Sequence, residues 1–135
     1  MTLVTAKLRF LRTSPRKMRL VADLVRGRDV IRAVNYLTLL KKDAAKHLLK
    51  LLNSAVANAK HNHSLAIENL RIKSITVDGG PMLKRWMPKA HGRATPVRER
   101  TSHINLVLEE IVRKAKNQKN QKTTNLKSEI LNQKS

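Results

Sequence analysis

Cysteine is absent from this chain, which excludes disulfides, thiolate metal sites and cysteine nucleophiles. Acids are scarce, with 9 Asp and Glu against 29 Lys and Arg. Aromatic residues number three, Phe10, Tyr36 and Trp86. Apolar runs extend only a few residues, far short of the about 20 that a membrane-crossing helix needs. The opening "MTLVTAKLRF" lacks the apolar stretch of a secretion signal, so the expected location is the cytosol or an organelle matrix. The familiar phosphate-cradling and nucleophile motifs are missing too, and "DGGP" at 78–81 reads only as a turn. His61 and His63 have no evident third metal ligand. Glu109 and Glu110 are adjacent, so on a strand they face opposite ways and cannot work as a paired acid and base. The expectation is no catalysis, no metal and no cofactor.

What is there is positive charge, +20 over 135 residues. That excess repels itself and opposes compaction unless a dense polyanion neutralises it, and nucleic acid is the commonest one. A core of Leu, Ile, Val and Ala in a domain of about 110 residues is modest, so stability leans on the partner. Residues 1–112 read as one domain. From 113 to 135 the chain turns low-complexity and basic, with seven Lys or Arg and seven Asn or Gln, and is expected to be disordered without a partner.

Periodicity supplies the elements. In "TAKLRFLRT", Ala6, Leu8 and Phe10 alternate with Lys7, Arg9 and Leu11, predicting a half-buried strand with a basic outer face. Ser14 as N-cap and Pro15 at the first helical position open a helix over about 15–26. Its stripe is Met18, Val21, Ala22 and Val25, and Gly27 is a left-handed stop. Asp29 caps a second helix to about Leu40, marked by Val30, Ala33, Val34 and Leu37, and Asp43 caps a longer third one. The third helix buries Ala45, Leu48, Leu49, Leu52, Ala55, Val56 and Ala59, with Lys46, Lys50, Asn53 and Lys60 opposite. "NLRIKSITVD" and "TSHINLVLEE" are strands, and a phase switch at Ser74–Ile75 in the former signals a bulge.

Between those strands lies "GGPMLKRWMPKAHGRATP", residues 79–96, which holds three of the four glycines, three of the four prolines and no acid. A hairpin turn takes two to five residues, so this segment reads as a ribbon protruding over about 78–100. Met82, Leu83, Trp86 and Met87 on such a ribbon cannot all reach a small core. Flanked by Lys84, Arg85, Lys89 and Arg93, they suit stacking on bases or packing into an RNA crevice. Candidate phosphate-binding residues extend from Lys7, Arg9, Arg12, Arg16, Lys17, Arg19 and Arg26 to Lys84, Arg85, Lys89, Arg93, Arg98 and Arg100. Two rival readings stand beside RNA. One is a DNA-compacting or regulatory protein presenting Arg16, Arg19 and Arg26 to a major groove. The other is a cationic membrane-active protein.

Four segments, "TSPRKMRLVADLVRGR" (13–28), "NSAVANAKHN" (53–62), "GPMLKRWMPKAHGRA" (80–94) and "RTSHI" (100–104), occur in an order and spacing that resemble the bacterial-type large-subunit ribosomal protein twenty-two family. The resemblance spans about residues 5–110. It implies an α+β fold, three helices packed on a small antiparallel three-stranded sheet with one long protruding β-hairpin. It further implies a non-enzymatic constituent of the large ribosomal subunit that binds its ribosomal RNA, supports assembly and lines the nascent-peptide exit tunnel. The implied partners are that RNA, neighbouring ribosomal proteins including number four at the tunnel constriction, and the nascent polypeptide. A membrane is not among them, and the protein is a monomer within the ribosome. By the same resemblance the tunnel-lining stretch is Met82, Leu83, Lys84, Arg85, Trp86, Met87, Pro88, Lys89, Ala90, His91, Gly92 and Arg93. Met82, Lys84 and Arg85 inherit an association with macrolide response. Leu83 and Trp86 fall at variable positions of the motif, and Glu99 sets an acid among basic neighbours. Nothing carries over to 113–135.

Overall fold

A computed structural model describes residues 2–111. The expected basic tail, 113–135, lies outside the described residues. Strand β1 (Leu3–Leu11) is followed by helices α1 (Pro15–Val25), α2 (Val30–Leu39) and α3 (Asp43–His63), then by strands β2 (Leu70–Pro88) and β3 (Ala94–Glu110). The sheet is antiparallel with order β1-β3-β2, so β3 is central. The helices cover one face of it, which makes the fold α+β.

Periodic residues form the core as their spacing requires. Met18, Val21, Ala22 and Val25 of α1 are buried, as are Val30, Ala33 and Leu37 of α2. On α3 the buried set is Ala44, Ala45, Leu48, Leu51, Leu52, Ala55 and Ala59, while Leu49 and Val56 are only partly covered. The alanines let α3 lie close to the sheet. Opposite them, Leu70, Ile72, Ile75 and Val77 of β2 meet Ile104, Leu106 and Leu108 of β3 and Val4 and Ala6 of β1. Between Ile72 and Ser74 the pairing skips Lys73, so the inward phase moves by one residue, as the sequence predicts.

Three local expectations need correction. Phe10 does not continue the inward row of Ala6 and Leu8. The register slips between Leu8 and Leu11, Phe10 takes φ 56°, and its ring is 62% exposed. A one-residue slip turns the following side chains to the other face, so Leu11 packs on the core instead. Ser14 occupies the N-cap of α1, but its hydroxyl makes no capping hydrogen bond among the described residues. Its carbonyl accepts from the Lys17 and Met18 amides at 3.0 and 3.3 Å. Asp43 is the first residue of α3 rather than its cap, which is Lys42. There the carboxylate favours the positive helix end and lies 3.6 Å from His47 Nε2. At the other end of α3, Ser64 adopts the left-handed conformation (φ 52°). The Leu65 amide then bonds back to the Ala59 carbonyl at 3.2 Å, closing the helix without glycine.

Candidate nucleic-acid interface

Beyond Gly79, β2 and β3 leave the core together. After a second register shift between Gly79 and Met82, seven pairs run from Met82↔Arg100 to Pro88↔Ala94. The tip is a short turn at Ala90–Gly92, with His91 at φ 59° and Gly92 at φ 66°. Across it the Lys89 amide donates to the Arg93 carbonyl at 2.8 Å. Gly79 forms the last pair before the shift and Gly80 lies inside it, where the strands come close. The Thr101 hydroxyl donates to the Pro81 carbonyl at 2.6 Å. His103 stands beside it and accepts the Phe10 amide proton on Nδ1 at 3.0 Å, with the Phe10 ring edge-on at 4.8 Å.

Side chains alternate along the ribbon, which separates its chemistry onto two faces. One face carries Met82, Lys84 and Trp86 with their partners Arg100, Arg98 and Pro96, and all six are exposed. The other carries Leu83, Arg85 and Met87 with Glu99, Val97 and Thr95, and Leu83, Thr95, Val97 and Glu99 are half-buried. Glu99, the ribbon's acid, is ion-paired with Arg12 at the end of β1. No described residue forms an ion pair with Lys84, Arg98 or Arg100.

The remaining sequence-predicted cations divide into two groups. Lys7 and Arg9 on β1, and Arg16 and Lys17 in the first turn of α1, are exposed, as are Lys89 and Arg93 at the ribbon tip. Arg19 and Arg26, although also exposed, make bonds to the rest of the fold. Both Nε and Nη2 of Arg19 donate to the Val77 carbonyl at 3.1 Å. Arg26 donates from Nη2 to the Ile75 carbonyl at 3.1 Å and pairs with Asp23 at 2.6 Å. Arg12 is likewise engaged by Glu99, so it anchors the ribbon root.

Sequence reading misses Lys73, the exposed extra residue of the β2 bulge, although the phase switch at Ser74 is its signal. It also misses Arg71, whose Nε donates to the buried Glu109 carboxylate at 2.9 Å. Beside Lys17 a cleft of about 610 Å³ opens between α1 and the α2–α3 connection, floored by Leu20, Leu24 and Leu40. Among the described residues no cluster of three potential ligands could hold a metal ion, and no helix is long and apolar enough to cross a membrane.

An α+β domain of this charge, projecting an acid-free basic face on a two-stranded ribbon, defines a small basic protein of the polyanion-binding class. Comparison with known proteins narrows this. The family described as Ribosomal protein L22p/L17e matches residues 6–109, and the chain belongs to that family. It is 53% identical over 107 residues to a protein of Bdellovibrio bacteriovorus named large ribosomal subunit protein uL22, covering 79% of this chain and 97% of the relative. A relative of the same name from Mycoplasma mycoides subsp. mycoides is 54% identical over 103 residues, covering 76% and 93%. That from Caldicellulosiruptor saccharolyticus is 50% identical over 106 residues, covering 78% and 87%.

Proposed function

We propose that this protein is a structural constituent of the large ribosomal subunit that binds large-subunit ribosomal RNA, supports assembly and lines the nascent-peptide exit tunnel with its ribbon. In a bacterium that subunit is cytoplasmic. The observation that carries the reading is the ribbon face of Lys84, Arg98 and Arg100, uncompensated within the described fold and held clear of the core. A channel wall made largely of RNA needs such an element, because cations on a narrow ribbon neutralise phosphates on several sides at once.

Within this reading the domain's exposed Lys7, Arg9, Arg16 and Lys17 hold RNA, and the tip residues Met87 to Arg93 approach the tunnel lumen. The nascent polypeptide passes along them, and ribosomal protein four faces them at the constriction. Arg19 and Arg26 bind carbonyls of β2, so a major-groove recognition helix loses two of its three arginines. Competition between structured large-subunit RNA and duplex DNA at moderate salt tests the partner class, and preference for DNA would sink the proposal. Co-sedimentation with the large subunit after a moderate salt wash tests incorporation. A photo-crosslinker at Met87 should trap a stalled nascent chain, and crosslinking only to RNA would remove the lumen assignment.

A further inference from the structure

We propose that Trp86 is a stacking platform for one unpaired RNA base, with Lys84 and Arg98 taking the phosphates beside it. The inference rests on the RNA-binding reading above and names what one face of the ribbon recognises. Trp86 is 70% exposed although tryptophan is among the side chains that gain most from burial. The last core-facing residue of β2 is Val77, and beyond Gly79 the strand runs only with β3, so the fold offers the indole no core.

Its surroundings define the ligand. Lys84 stands directly across from Arg98, and like charges facing each other on a ribbon destabilise it. Trp86, paired with Pro96, is the next position on that face, and Met82 with Arg100 is the one before. Same-face neighbours on a strand are about 6.6 Å apart, from a rise of ~3.3 Å per residue, which is on the order of one nucleotide of an extended strand. The face therefore offers a π surface flanked by cations at nucleotide-like spacing. Glu99, the acid of the ribbon, faces the other way and is held by Arg12, so nothing on this face repels a phosphate. An indole has no access to the flat side of a base within a paired helix, whereas an unpaired base presents both sides.

Trp86 is the chain's one tryptophan, so its emission reports this site alone when excited clear of Tyr36. The full-length chain is titrated with a short oligoadenylate and, separately, with a blunt RNA duplex of equal length. Binding is followed in parallel by anisotropy of labelled RNA. The expected result is indole quenching by the oligoadenylate and little change with the duplex, although both RNAs bind. Trp86→Ala should weaken the oligoadenylate roughly ten-fold and leave the duplex within about two-fold, while Trp86→Phe keeps part of the affinity. The exposure of Trp86 means that these variants fold, which circular dichroism checks. Anisotropy showing oligoadenylate binding with unchanged emission, or equal weakening of both RNAs by Trp86→Ala, overturns the stacking site and leaves the RNA reading standing. Failure of both RNAs to bind the unaltered chain overturns the RNA reading and the stacking site together.

Discussion

At Gly80, inside the register shift, a hydrogen atom in place of a side chain lets the two strands stay close as they leave the core. A Cβ there would lie 2.4 Å from the Thr101 hydroxyl oxygen and 3.2 Å from His103 Nε2. The hydroxyl cannot simply turn away, because it holds the Pro81 carbonyl across the bulge. Gly80→Ala should therefore cost about 1–3 kcal/mol by overpacking. Thr101→Ala alone should cost about 1 kcal/mol for the lost hydrogen bond. The double variant should cost clearly less than the sum, because removing the hydroxyl relieves the clash. Urea unfolding followed by circular dichroism measures the cycle, and strict additivity would show that the two positions do not meet. A second residue-scale case is Glu109, buried at 8% exposure and held by Arg71. Arg71→Ala should destabilise by about 1–3 kcal/mol, since it strands a desolvated carboxylate. Adding Glu109→Gln should recover part of that loss, and no recovery would mean that Arg71 contributes only packing.

Element by element, what was legible depended on how local the cause was. The stripes of α1, α2 and α3 follow from spacing alone, and so does the β2 bulge, because each is written in the order of neighbouring residues. Phe10 was not legible. Its outward turn follows from a slip against Ser102 of β3, far away in sequence, and pattern within β1 carries no trace of it. The bonds that Arg19 and Arg26 make to β2 carbonyls are not legible for the same kind of reason. A charge on a helix reads as free until the strand carbonyls it meets are known. Because Arg19 and Arg26 fasten α1 to β2, Arg19→Ala should lower stability by about 1.5–3 kcal/mol through loss of a charge-assisted bond. It should leave the slope of log affinity against log salt unchanged. Lys84→Gln should do the reverse, reducing that slope by roughly 0.7–0.9 with little effect on unfolding. A salt slope shifted by Arg19→Ala would return that side chain to the RNA interface.

For the molecule as a whole, the buried residues sit at one end and the charged ribbon extends from it without a core of its own. A two-stranded ribbon is marginal in water, and Lys84 opposite Arg98 adds repulsion that no described acid on that face offsets. The free protein should therefore show two regimes of amide exchange. Amides across 104–108 should be well protected, and those across 83–97 should exchange far faster. Added RNA should slow the ribbon amides, because phosphate removes the repulsion. Salt then distinguishes this electrostatic account from simple floppiness. In the free chain, raising salt screens the like charges and should increase ribbon protection. In the complex, the same salt weakens phosphate contacts and should decrease it. Hydrogen-exchange mass spectrometry on the full chain, with and without RNA at two salt concentrations, measures all four conditions. A ribbon as protected as the core in the free chain, or salt responses of the same sign in both states, would show that charge does not govern its order.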